Sequence, residues 1–92
     1  MLHIIKHSQQ LKLVRRYFQA HDSLLLVENA VYLTNPNSPY FTDLQTIKSV
    51  YALREDLSAR GWLEMCSGSI EQVTMNDFVE MTVNEDKSIS WS

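Results

Sequence analysis

Three features of the sequence predict an α/β fold: a small layered sheet of four or five mainly parallel strands with about three flanking helices. The first is the segment Ile47 to Gly61, where Val50, Tyr51 and Leu53 suit a pleated, half-buried strand. Within three positions the chemistry changes to Glu55, Asp56, Ser58, Ala59 and Arg60, and Gly61 ends the run. Acids in a first turn, Arg in a last turn and Gly just beyond mark a short helix aligned with its dipole. The second feature is Leu24 to Val27, an unbroken apolar run that fits a strand covered on both faces. The third lies upstream, where Leu11, Val14 and Phe18 recur at helical spacing. Strands alternating with short helices in this way build a mainly parallel sheet.

Taken in order, Leu2, Ile4 and the adjacent Ile5 make a first strand, with His3 and Lys6 at its polar positions. Ser8 is a suitable N-cap for the first helix. Leu13 and Tyr17 widen that helix's apolar stripe and leave Lys12, Arg15, Arg16 and Gln19 to water. Asp22-Ser23 closes the connection to the second strand, and Glu28 to Leu33 reads as a short helical turn. Asn35-Pro36-Asn37-Ser38-Pro39 is the strongest loop signal in the chain, because proline lacks the N–H that regular structure uses. Ile70 to Thr74 is a fourth strand, weakened by Glu71 and Gln72. Thr74 or Asn76 caps a last helix whose Phe78, Val79, Thr82 and Val83 are expected to face inward. After the turn-prone Asn84-Glu85-Asp86, the alternation in Ser88-Ile89-Ser90-Trp91 places Ile89 and Trp91 on one face of a terminal edge strand. Trp91 is expected to dock on the sheet or on a partner. A parallel sheet is apolar on both faces, and three modest helices barely cover it, so bare surface is expected to be covered by another chain.

Composition narrows the function classes. The 92 residues suit one domain, and 45% hydrophobic with 21% charged residues is a globular balance. No apolar run approaches the ~18 residues of a membrane span, and no basic stretch precedes a signal-like core. A cytoplasmic protein that does not engage membranes is the expectation. Eight Lys and Arg against eleven Asp and Glu give a net charge of −3, whereas nucleic-acid binders rely on basic stripes. Lys12, Arg15 and Arg16 are the only basic cluster and read as a solvated helix face, so no direct nucleic-acid binding is expected. A single cysteine excludes an internal disulfide and a thiolate-rich zinc site. Gly61 and Gly68, the only glycines, write neither phosphate-binding loop motif. No cofactor is expected.

Several blocks carry a family resemblance. Val50 to Gly61 reads VYAL-x-EDL-x-ARG, Asp77 to Val83 reads DFVEMTV, and Trp91 stands close to the end. The opening MLHIIKHS and the run LLLVENAV from Leu24 complete the pattern, while the middle loop and residues 62–72 match least. The chain resembles the TusB/DsrH family of small subunits in bacterial sulfur-relay complexes. That resemblance implies a DsrE/DsrF/DsrH-like fold and a non-catalytic subunit of a heterohexamer with TusC-like and TusD-like partners. The family complex passes persulfide sulfur toward 2-thiolation of the wobble uridine of tRNA, and its sulfur-bearing cysteine belongs to the TusD-type subunit.

The candidate residues are weighed on their chemistry. Cys66, in LEMCSGS, has Glu64 nearby and no adjacent cation to stabilise a thiolate, so it is disfavoured as a persulfide carrier. DsrH-type relatives carry their functional cysteine in the N-terminal half, where this chain has none. A sulfurtransferase-like carrier using Cys66 remains the alternative function, and a self-assembling DsrE-like module a third. His3 and His7 are four apart but flank a strand end with no third ligand close by, so no metal site is expected. His21 precedes Asp22 in a turn and reads as a solvent-exposed or capping residue. LLLVEN at Leu24 superficially resembles a receiver domain, but Glu28 lacks the paired acid that would hold a metal. Glu55, Asp56 and Arg60 sit where α/β sheets bind ligands, yet they equally serve as helix charge complementation, Asp56 and Arg60 being an i,i+4 pair. Tyr40, Phe41, Trp62 and Trp91 are the subunit-interface candidates, because aromatics are enriched at contact centres. No catalytic residue is assigned.

Overall fold

The computed structural model describes residues 1–85 and 87–91. Five strands form one sheet: β1 (Leu2–Ile5), β2 (Ser23–Leu26), β3 (Val50–Leu53), β4 (Glu71–Val73) and β5 (Ser88–Ser90). Every pairing is parallel, in the order β4-β3-β2-β1-β5. The helices are α1 (Gln10–Tyr17), the single turn α2 (Phe41–Leu44), α3 (Arg54–Ala59) and α4 (Met75–Asn84), with a 3₁₀ segment at Glu28–Thr34. The α/β reading holds, with one more helical turn than expected. The α2 turn is invisible to periodicity because four residues are barely one turn of helix.

Topology decides how the layers are filled. From β1 to β4 each crossover steps to the next strand in one direction, and crossovers are right-handed. Their helical segments therefore collect on one face. Ile5, Leu24, Leu26, Val50 and Ala52 of that face pack with Leu11 and Val14 of α1, Val31 and Leu33 of the 3₁₀ segment, Leu44 of α2 and Leu57 of α3. The step from β4 to β5 runs back past β3, β2 and β1, so α4 lies on the opposite face. There Leu2, Ile4, Leu25, Leu53 and Val73 meet only Phe78 and Met81 of α4. The alternation along each strand splits these two cores, as period-2 side-chain placement requires.

Local expectations failed at three points. Ser8 is not the N-cap of α1; Gln9 is, without a side-chain cap bond. The Gln10 side-chain carbonyl instead accepts the backbone N–H groups of Lys6 and His7, at 2.8 and 3.1 Å, and turns the chain from β1 into the helix. Leu13 and Tyr17 are exposed, at 44% and 60%, because α1 meets the sheet along the narrow line of Leu11 and Val14. Val79 and Val83 also face outward, at 56% and 75%, and no residue of α4 is fully buried. A single helix ~15 Å long must cover the whole second face, so only Phe78 and Met81 reach the sheet. Asp86, part of the expected turn before β5, lies outside the described residues.

Candidate functional site

The carboxyl ends of the central strands gather the polar residues flagged in the sequence. Asp56 Oδ2 accepts the backbone N–H of Glu28 at 2.6 Å, and its other oxygen lies 3.9 Å from Arg60. Arg60 donates through Nε and Nη2 to Asn29 Oδ1, at 3.3 and 3.2 Å. Glu55 turns the other way, and its Oε2 accepts the backbone N–H of Met75 at 2.9 Å. These groups join α3 to the 3₁₀ segment and to the start of α4. Glu28 itself has φ of +50°, in the left-handed region where a side chain is unusual. Its N–H is thereby aimed at Asp56 as β2 turns into the 3₁₀ segment. The cluster's bonds run to backbone N–H groups and to the Asn29 side chain, and it works as a brace.

Cys66 is half-buried within the loop after α3, packed against the first core. Its thiol donates to the Ser67 carbonyl at 3.6 Å, and Ser67 is anchored by its N–H to the Thr34 carbonyl at 2.9 Å.

The four aromatic interface candidates separate. Phe41 is buried in the first core. Trp62 stands edge-on to Tyr32, with ring centroids 4.6 Å apart. Together with Tyr40 and Pro39 these two rings line a surface cavity of about 320 Å³, which also takes in Ser8, Asn35, Asn37 and Ser38. Trp91 lies elsewhere, against Tyr17 and His3, with centroids 5.8 and 6.0 Å away.

Trp91 completes a buried polar chain that has no local sequence signature, because its members stand at positions 3, 22 and 91. The indole Nε1–H donates to His3 Nδ1 at 3.1 Å. An indole can only donate, so Nδ1 is the unprotonated nitrogen and Nε2–H donates to Asp22 Oδ2 at 2.9 Å. Asp22 also accepts the Gln19 N–H at 2.9 Å and the Met1 amine at 3.1 Å. Burial alone would raise the Asp22 carboxyl. The Gln19 N–H, His3 and the amine outweigh it and hold the group at about 2. His3 is 2% exposed with both ring nitrogens engaged, so it has no free lone pair for a substrate proton. This chain ties β5 to β1 and to the α1–β2 turn. Its one legible hint was a Trp near the end, whose indole N–H must find an acceptor once buried.

Among the described residues, no group of three or more His, Cys, Asp or Glu side chains is placed to hold a metal ion. No helix is long and apolar enough to cross a membrane among those residues.

Comparison with known proteins places the chain in a family. Residues 6–88 match the family model described as DsrH like protein. The chain belongs to the DsrH family. It is similar to Protein TusB of Buchnera aphidicola subsp. Baizongia pistaciae, at 32% identity over 99% of this chain and 100% of the relative. Protein TusB of Shigella dysenteriae serotype 1 is 33% identical over the same shares. Among solved structures, a protein of unknown function from Methanobacterium thermoautotrophicum superposes with a TM-score of 0.70, covering 98% of this chain and 96% of that one. At 16% identity it speaks for the fold alone.

Proposed function

We propose that this chain is a non-catalytic subunit of a TusBCD-like sulfur-relay complex in the cytoplasm. Its partners are TusC-like and TusD-like chains in a hetero-oligomer, and the assembly passes persulfide sulfur toward 2-thiolation of the wobble uridine of tRNA. The observation that carries this reading is similarity to TusB proteins over 99% of the chain. The geometry agrees in two respects. Cys66 is half-buried with its thiol directed at a neighbouring carbonyl, and the second face of the sheet is closed by a helix that has no fully buried residue. The role is to complete the assembly, and the sulfur travels on a partner's cysteine.

Co-expression tests the reading. The chain alone is expected to self-associate or be poorly soluble, and together with TusC-like and TusD-like chains to give one stable larger species by light scattering. A well-behaved monomer that ignores both partners overturns it. Within the assembled complex, Cys66→Ser is expected to leave tRNA thiolation unchanged on mercury-containing gels. Loss of thiolation with assembly intact, or a one-sulfur mass gain on Cys66 after incubation with a desulfurase and cysteine, makes Cys66 a carrier instead.

A further inference from the structure

Beside α4, on the second face of the sheet, β3 and β4 leave an open groove of about 700 Å³. Tyr51, Val73 and Met81 give it an apolar floor, and Glu71 and Glu80 stand at its border. Asp77 and Glu85 also line it, but both are engaged. Asp77 closes the cap of α4, and Glu85 lies 3.7 Å from the Met1 amine. Glu71 and Glu80 are exposed and make no ion pair among the described residues. On the far side of the molecule, α1 presents the complementary chemistry. Its outward side carries the exposed Leu13 and Tyr17 at i and i+4, with Lys12 and Arg16 beside them. Arg15 is paired with Asp43, whereas Lys12 and Arg16 make no ion pair among the described residues.

We propose that α1 of one copy of this chain seats in the groove beside α4 of a second copy. Leu13 and Tyr17 then lie over the apolar floor, and Lys12 and Arg16 face Glu71 and Glu80. Charge complementarity selects this occupant. An apolar floor bordered by acids takes an apolar row flanked by cations, and among the described residues α1 is the one helix with two unpaired cations beside exposed apolar side chains. The lengths agree as well. The eight residues of α1 and the stretch of α4 from Asp77 to Glu85 that lines the groove each span about 12 Å. The inserted helix and the seat lie on opposite faces of the sheet, since α1 packs on the first core and Tyr51 on the second. One two-fold axis cannot satisfy both contacts at once. The contact is therefore head-to-tail, and each added copy leaves a helix or a groove open for the next. Assembly passes the dimer and grows with concentration. This contact needs no other subunit, and it gives the self-association expected of the isolated chain a surface and a geometry.

The test uses the full chain alone, by sedimentation velocity over a concentration series. Wild type is expected to form species larger than a dimer, which weaken as salt is raised. Lys12→Glu with Arg16→Glu, and separately Glu71→Lys with Glu80→Lys, are each expected to weaken association at least about tenfold, because like charges then meet across the contact. All four positions are exposed, so both variants are expected to keep the wild-type circular dichroism spectrum. An equimolar mixture of the two is expected to associate again, since each offers the other opposite charge. Lys48→Glu with Arg54→Glu changes the net charge as much as the α1 pair does, at positions that line neither surface, and is expected to associate as wild type. Benzoylphenylalanine in place of Leu13 is expected to cross-link to α4 of another copy, read by mass spectrometry. Association that survives both charge reversals, a mixture that stays dissociated, a Lys48 and Arg54 control that weakens equally, or capture from position 13 at another segment overturns the contact. Monomeric wild type overturns it too, and the relay reading falls with it only if that monomer also ignores the TusC-like and TusD-like chains.

Discussion

The two faces of the sheet are built from the same strands and finished in opposite ways. On the first, α1, the 3₁₀ segment, α2 and α3 bury Leu11, Val14, Val31, Leu33, Leu44 and Leu57 against Leu24 and Leu26. On the second, α4 offers only the half-buried Phe78 and Met81 and turns Val79 and Val83 to solvent. The strands themselves do not differ in kind, since Leu2 and Leu25 of the second face are as fully buried as Leu24 and Leu26 of the first. The asymmetry lies in the cover. Topology causes it, because three crossovers step one way and one long crossover returns. The first face is a finished core, and the second is covered by one helix that has no fully buried residue.

That comparison breaks most readily at its most buried residues. Leu26→Ala on the first face is expected to cost ~2–5 kcal/mol, through lost transfer energy and the cavity left behind. Phe78→Ala removes a larger side chain yet is expected to cost less in the isolated chain, because part of Phe78 already faces water. Urea unfolding of both variants decides it, and equal losses would mean that α4 is as firmly seated as the first-face helices.

The His3 chain offers a second comparison, since it is the polar fastening of the sheet edge at β5. Trp91→Phe keeps an aromatic ring, though a smaller one, and deletes the indole N–H, leaving His3 Nδ1 without its donor; a loss of ~1–3 kcal/mol is expected for an unsatisfied buried group. The same fastening has an acid limit. The carboxyl of Asp22 is lowered to about 2 in the folded chain, against ~3.9 when unfolded. A depressed pKa means that the unfolded state binds the proton more tightly. Its stabilisation is therefore complete above about pH 4 and lost as pH falls through about 2. Asp22→Asn should flatten stability over that acid window, and an unchanged acid limb would show that Asp22 is not the group being titrated.

The smallest expected effect concerns the start of α4. Thr74 Oγ1 accepts the Asp77 N–H at 3.2 Å while Asp77 Oδ2 accepts the Thr74 N–H at 3.0 Å, a reciprocal capping box. Thr74→Ala is expected to cost ~0.5–2 kcal/mol in the isolated chain. If a partner holds α4 from outside, the cost should shrink when the complex is assayed, by calorimetry in both states. An identical loss in both would sharpen the comparison the other way, with α4 held by its own cap.

Much of this architecture is legible from residues alone. Leu24 to Val27 declares a strand apolar on both sides, Val50 to Gly61 a strand turning into a dipole-matched helix, and Thr74 the capped start of another. Such signals are local: each depends on neighbours within a few positions, and backbone hydrogen bonding acts at that range. Family membership is legible for the same reason, as a run of such blocks in order. The outward turn of Val79 and Val83 was not, because a stripe with period 3.6 states that a face is apolar and not what covers it. Nor was the inward turn of His3, which sits at a formally polar position of β1 and is buried only because Asp22 and Trp91 converge on its two nitrogens. The placement of Glu55 and Asp56 on the N–H groups of Met75 and Glu28 joins elements 20 and 28 residues apart. Those outcomes were decided by strand order, which puts distant residues side by side and determines which apolar faces the chain itself can close.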